Sequence, residues 1–128
     1  MRFVVQEHHA HTHHFEFRLE KDGVYKSWAV YQRLPDRPGS HRLAIQVEDR
    51  DLIFGSFEGT IPDGEYAGQI RIWDQGDCVC QEWGANEIRV DLKGQKLNGE
   101  YGLVWAPHLG ERYWLIEKRG GGRDSGVT

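Results

Sequence analysis

A disulfide framework is the first thing this chain of 128 residues lacks. Its two cysteines, Cys78 and Cys80, are separated by one residue. In a strand they point the same way, too close along one chain for an ordinary bridge. With no second pair of thiols they do not make a zinc site. Reduced cysteines of minor structural weight fit a reducing compartment. Long apolar runs are missing too. No stretch approaches the roughly 18 residues that would span a bilayer. Residues 1–5 carry only Arg2 and make no signal peptide. We therefore expect no membrane contact and a cytoplasmic protein. Positive charge is scarce as well: the net charge is −4 and the pI about 5.9. A protein that coats long duplexes would be basic. A small basic pocket inside an acidic shell remains open, because one phosphate responds to the local field.

Helical periodicity is the last absence. No segment of ten or more residues repeats at 3.6, and at most a helical turn or two is expected near Ala85. Aromatic residues, by contrast, are plentiful: five Trp, five Tyr and five Phe, within 38% hydrophobic content. That supports one modest core and one domain. We assign it to residues 1–119, with a polar, glycine-rich tail at 120–128 expected to be flexible.

Strand signals fill the rest. Residues 3–6 read as a short strand, 7–13 as a polar loop, and 14–20 as a strand in which Phe15, Phe17 and Leu19 alternate with polar residues. Lys21-Asp22-Gly23 is a hairpin turn, and 24–31 returns. Residues 32–41 hold two of the four prolines and read as a mobile loop. In 42–48, Leu43, Ile45 and Val47 face one way and Arg42, Ala44, Gln46 and Glu48 the other. Pro62-Asp63-Gly64 signals a turn. A strand at 69–73 is expected to close at Asp74-Gln75-Gly76. Short strands at 78–83, 87–92, 99–105 and 113–118 follow. Many short strands at regular spacing indicate a barrel or sandwich. Trp28, Trp73, Trp105 and Trp114 fall in strands and read as core. No aromatic platform beside a basic groove is visible.

The chemistry concentrates in residues 6–20, QEHHAHTHHFEFRLE. Five of the seven histidines lie there. Unlike a tag, they are interspersed and run into an amphipathic strand. His14, Glu16, Arg18 and Glu20 share its polar face. Imidazole and carboxylate can hold a divalent metal, and a guanidinium beside them can hold an anion. With His8 the set becomes His8, His14 and Glu16, which suits manganese, iron or zinc without choosing. A solvated histidine loop, and a surface ion pair from Arg18 to Glu20 or Glu48, are the competing explanations. His13 should lie with Phe15 and be packed. His9 and His11 are loop residues that solvent or a ligand could claim.

The same stretch resembles the 3′-phosphoesterase domain of bacterial DNA ligase D and its stand-alone relatives. FVVQEHHA at 3–10, the His-x-Glu-x-Arg-Leu-Glu run at 14–20 and DGVYKSWAV at 22–30 carry the likeness. RLAIQVED at 42–49, FEGTIPDGEY at 57–66, IWDQG at 72–76, KLNGEYGLV at 96–104 and YWLIEKR at 113–119 extend it along nearly the whole chain. The resemblance implies a mainly β, single-domain antiparallel barrel with little helix. It implies a manganese-dependent enzyme that removes a 3′-terminal ribonucleoside or 3′-phosphate from nucleic-acid ends during repair. His8, His14 and Glu16 match the metal positions, where the family has His, His and Asp. Arg18 matches a phosphate-binding arginine, and Gln6, Arg42 and Glu48 match further site positions.

Departures are visible too. Arg50 stands where the family has a phosphate-contacting histidine, and arginine does not shuttle protons near neutral pH. Phe54 replaces a tyrosine and Gln32 a lysine. The glycine segment after Glu65-Tyr66 is one residue shorter. Beginning at Met1, the chain would lack the family's N-terminal arm. The alternative is therefore a weak or inactive domain that binds strand ends or a repair partner. A monomer is expected, with any ligase or polymerase partner acting in trans.

Overall fold

In the computed structural model, residues 1–64 and 67–120 are described. The expected tail at 120–128 lies outside them except for Gly120, as do Glu65 and Tyr66 of the glycine segment. The strands are β1 (Arg2–His9), β2 (His13–Lys21), β3 (Val24–Val30), β4 (His41–Asp51), β5 (Gly59–Ile61), β6 (Gly68–Trp83), β7 (Glu87–Lys93), β8 (Asn98–Trp105) and β9 (Tyr113–Gly120). A short 3-10 helix, η1 (Leu52–Ser56), follows β4. All pairings are antiparallel. The order β1-β2-β3-β4-β9-β8-β7-β6 closes through a β6–β1 pairing, and β5 adds to the edge of β6. The result is a ring of eight strands, which leaves few sheet edges open.

Alternation places the core inside the ring. Phe15, Phe17 and Leu19 of β2 are buried, as are Phe3 and Val5 of β1 and Trp28 and Val30 of β3. Trp114 meets Trp28 edge to face at 5.9 Å, while Trp73, Trp83 and Trp105 pack at the margin. The tryptophans therefore occupy core or core-margin positions, as their strand settings predict. Asp22 (φ 55°) and Gly23 (φ 82°) are both left-handed. A two-residue hairpin loop with that geometry matches the twist of the flanking strands.

Four expectations change. First, β1 runs on to His9 instead of ending at residue 6. Its neighbours hold it on both sides: His8 pairs with His14 and Ile70, His9 with His13 and Gln69. His8 and His9 are strand residues, and the loop shrinks to 10–12.

Second, Asp74-Gln75-Gly76 does not turn, and β6 passes through it as one strand of 16 residues. A Cβ on Gly76 would lie 2.2 Å from the Lys93 carbonyl. This glycine serves close approach, not a reversal of the chain. Asp74, with 5% exposure, accepts backbone N–H bonds from Gln75, Gln95, Lys96 and Leu97. It thereby anchors the β7–β8 turn against β6.

Third, the helical turn is η1, not a segment near Ala85. Gly55 there lets the backbone sit on the Tyr25 ring, since an added Cβ would come within 2.4 Å of it.

Fourth, β4 changes face. Its register against β3 shifts between the pairs Ser27–Val47 and Tyr25–Arg50. Such a bulge reverses which side chains point outward beyond it. Ahead of the bulge, Ala44 is buried and Leu43 is 39% exposed. Arg42 therefore shares the inward side with Ala44, while Arg50 points outward.

Candidate active site

The outer face of the β1–β2 hairpin builds the site. Cross-strand pairs Gln6–Glu16 and His8–His14 put four polar side chains side by side. Arg18 follows on β2. Ser27 and Ala29 of β3 continue the surface, and η1 covers one end. A cavity of about 450 Å³ results, lined by Gln6, His8, His14, Glu16, Arg18, Glu48 and Arg50 among others. Seven of the eight residues singled out from sequence thus converge. Arg42 does not: its guanidinium bonds Ser40 Oγ at 3.1 Å and the His41 carbonyl at 2.8 Å. The bulge in β4 is the reason.

Arg18 is 2% exposed. It donates to Gln6 Oε1 at 2.6 Å, Ser27 Oγ at 2.7 Å and Glu16 Oε1 at 3.3 Å. Gln6, itself 1% exposed, donates to the carbonyls of Phe54 at 2.9 Å and Phe57 at 3.0 Å. Gln6 therefore ties Arg18 to η1 and sets the orientation of the guanidinium. The Phe54 ring lies 5.1 Å from both the Arg18 and the Arg50 guanidinium. Two cations gathered at one aromatic ring make that end of the cavity an anion-accepting surface.

The other end is imidazole and carboxylate. The His8 and His14 rings lie 4.9 Å apart, and His14 Nε2 is 3.0 Å from Glu16 Oε2. Burial acts to lower the His14 pKa. The hydrogen bonds to Glu16 and to the Thr12 carbonyl, with the Glu16 charge, outweigh it and hold the pKa above the usual histidine value. Burial likewise acts to raise Glu16. The His14 hydrogen bond and the Arg18 charge prevail, and its carboxyl stays below the ordinary range.

Several lining residues carried no sequence signal of a role. Arg112 precedes β9 and reaches the cavity because its carbonyl accepts from Gln46 N at 2.8 Å, docking that loop on β4. Tyr31, Thr12 and Ile70 also line it, and His11 joins them from the shortened loop. His13 is exposed rather than packed, though its ring meets Phe15 edge to face at 5.4 Å. A second hollow shares Tyr31 with the first and adds His13, Phe15, Gln32, Arg33, Trp73 and Lys96. Lys96 Nζ sits 4.5 Å over the Trp73 ring. Aromatic and basic side chains do meet there, although they are scattered along the chain.

The family model for the DNA Ligase D 3′-phosphoesterase domain matches residues 6–105. The chain belongs to this family. The LigD non-homologous end joining DNA repair protein of Mycobacterium tuberculosis H37Rv is 42% identical over 130 residues, covering 98% of this chain and 17% of that protein. The LigD protein of Pseudomonas aeruginosa is 38% identical over 125 residues, covering 92% of this chain and 15% of the relative. This phosphoesterase-family chain thus corresponds to a small part of each multifunctional relative. The closed antiparallel ring agrees with the barrel that the family resemblance implied. Among the described residues, no helix is long and apolar enough to cross a membrane.

Proposed function

We propose that this chain is a metal-dependent phosphoesterase that trims the 3′ end of a nucleic-acid strand, removing a terminal ribonucleoside or a 3′-phosphate. One observation carries the reading: His8, His14 and Glu16 line the same cavity as Arg18 and Arg50, with imidazoles at one end and guanidiniums at the other. The donor set fits a divalent ion of the manganese, iron or zinc kind. The close approach of the His8 and His14 rings and of Glu16 supports it. Such an ion, manganese by family likeness, would polarise a phosphoryl oxygen and lower the pKa of water. Glu16, one methylene longer than aspartate, reaches the same region from the same strand position.

The chain's own residues do the rest. Arg18 neutralises charge building on the phosphoryl oxygens. Its bonds to Gln6 and Ser27 fix it before substrate arrives, so little reorganisation accompanies the reaction. Arg50 adds a second positive charge above Phe54, and Arg112 lies at the rim. Arg50 binds phosphate but does not exchange protons near neutral pH. The surface shared with Tyr31, Trp73 and Lys96 suits the nucleotides leading to the end, through stacking and phosphate attraction. A role on ends in repair would put the protein in the cytoplasm, a reading that the two unbridged cysteines support. A ligase or polymerase, on the same polypeptide or another, would use the 3′-hydroxyl that trimming exposes.

The test is a labelled primer–template ending in one 3′-ribonucleotide, alongside a 3′-phosphate version, with manganese. His14→Ala is the control. Trimming by the native chain and none by the variant is expected. Binding of the strand end without any turnover would replace this reading with an end-binding domain, and place the defect at Arg50 and Phe54.

A further inference from the structure

The β1–β2 hairpin carries a second set of two histidines and one carboxylate, on the face opposite the proposed active site. The register explains it. His8 pairs with His14, and Glu16 lies two residues beyond His14 on the same side. One step along both strands, His9 pairs with His13, and Glu7 lies two residues before His9. Successive residues of a strand alternate faces. The two sets therefore project in opposite directions from the same strands. The first opens to the outer cavity. The second opens at the mouth of the ring, on the side of Phe15.

We propose that Glu7, His9 and His13 form a second binding site for a divalent transition metal. Their donor atoms all lie within 4.8 Å of one another. His13 Nε2 is 2.7 Å and His9 Nε2 3.3 Å from the same oxygen, Glu7 Oε2. Ligands held about 2.1 Å from one ion lie about 3–3.5 Å apart in tetrahedral or octahedral arrangements. The carboxylate is already at that spacing from His9, and its 2.7 Å hydrogen bond to His13 needs to open by only a few tenths of an ångström to admit the ion. The two rings stack at 4.6 Å and 27°, so their nitrogens approach from the same direction. The strand pairing fixes both backbones, which lowers the ordering entropy that binding would otherwise cost.

The donor chemistry narrows the ion. Two imidazoles and one carboxylate favour zinc, cobalt, nickel or copper over magnesium or calcium, which prefer oxygen. The histidine side chains are 50% and 48% exposed and that of Glu7 is 23% exposed. The remaining coordination positions face solvent and can accept water or an anionic ligand. His13 also borders the hollow lined by Trp73 and Lys96. An ion here adds two positive charges beside that surface and strengthens its attraction for a phosphate backbone.

The experiment counts ions on the full chain. Metal-stripped protein is dialysed to equilibrium against zinc, and bound metal is measured for the native chain, for His9→Asn with His13→Asn, and for His8→Asn with His14→Asn. One ion fewer in the His9/His13 double variant than in the native chain is expected, whatever the His8/His14 variant does. Glu7→Gln should weaken that ion at least about tenfold, as loss of a ligand does. An equal count in the native chain and the His9/His13 variant would overturn the proposal. A second measurement uses the His8/His14 variant, so that the neighbouring site does not compete: cobalt should broaden or shift the ring resonances of His9 and His13. Resonances unmoved by cobalt would also overturn it. Neither readout involves end trimming, so the outcome is independent of the proposed activity.

Discussion

Gln6→Met tests whether Gln6 orients Arg18. The substitution keeps side-chain length and volume at a position with 1% exposure. It removes the bonds to the carbonyls of Phe54 in η1 and Phe57 just after it, and the one accepted from Arg18 Nε. The neutral bonds contribute about 1 kcal/mol each and the charged one about 1.5–3 kcal/mol. These bonds form one network, so their losses overlap. We expect a net loss of about 3–4 kcal/mol, part of it from an Arg18 donor left buried without its partner.

With a urea m-value of about 2 kcal/mol/M, the midpoint should fall by about 1.5–2 M. Tryptophan fluorescence during urea unfolding of the metal-free chain reads this directly. Amide exchange at 52–57 should accelerate as η1 loosens. A midpoint within about 0.3 M of the native value, with trimming lost, would refute the argument. Gln6 would then act on substrate, not as the link between Arg18 and η1.

Asp74→Ala should cost about 3–5 kcal/mol of unfolding free energy, because three turn amides at Gln95, Lys96 and Leu97 lose a buried carboxylate acceptor. A loss under about 1 kcal/mol in urea would show that water replaces it. The His14–Glu16 pair should make stability depend on pH. Glu16's share is present above its ordinary value of 4.5 and fades as pH falls through the lowered pKa. His14's share is full below its ordinary value of 6.5 and fades as pH rises through the raised pKa. In metal-free protein, the penalty of Glu16→Gln should therefore be largest between those two values and narrow on the alkaline side. A penalty that stays flat across neutral pH would contradict the pairing. Burial pushes the Cys78 thiol up to about 12, while Cys80 is exposed. A thiol reagent at neutral pH should label Cys80 at once and Cys78 only on unfolding. Equal rates, read by mass spectrometry, would mean that the strand opens locally.

Much of the outline follows from patterns within single strands. The alternation of Phe15, Phe17 and Leu19 with His14, Glu16 and Arg18 separates core from site without any tertiary knowledge. Asp22-Gly23 dictates its own hairpin, because few other pairs accept two left-handed residues. Ordered motifs along nearly the whole chain identify the family. What lies beyond is decided between strands, where a single sequence is silent on register. One extra residue in β4 turns Arg42 inward and Arg50 outward, a reversal that alternation alone cannot signal. His8 and His9 look like loop residues until β6 pairs with them on one side and β2 on the other. Asp74-Gln75-Gly76 has turn composition, yet the backbone of Lys93 explains the glycine and the amides of 95–97 explain the aspartate. Arg112 reaches the cavity only because its loop docks on β4. The opposed sets at His8–His14 and His9–His13 exist because ring closure holds β1 and β2 in one register. Chain-local chemistry chose the residues, and the closed sheet chose which of them face one another.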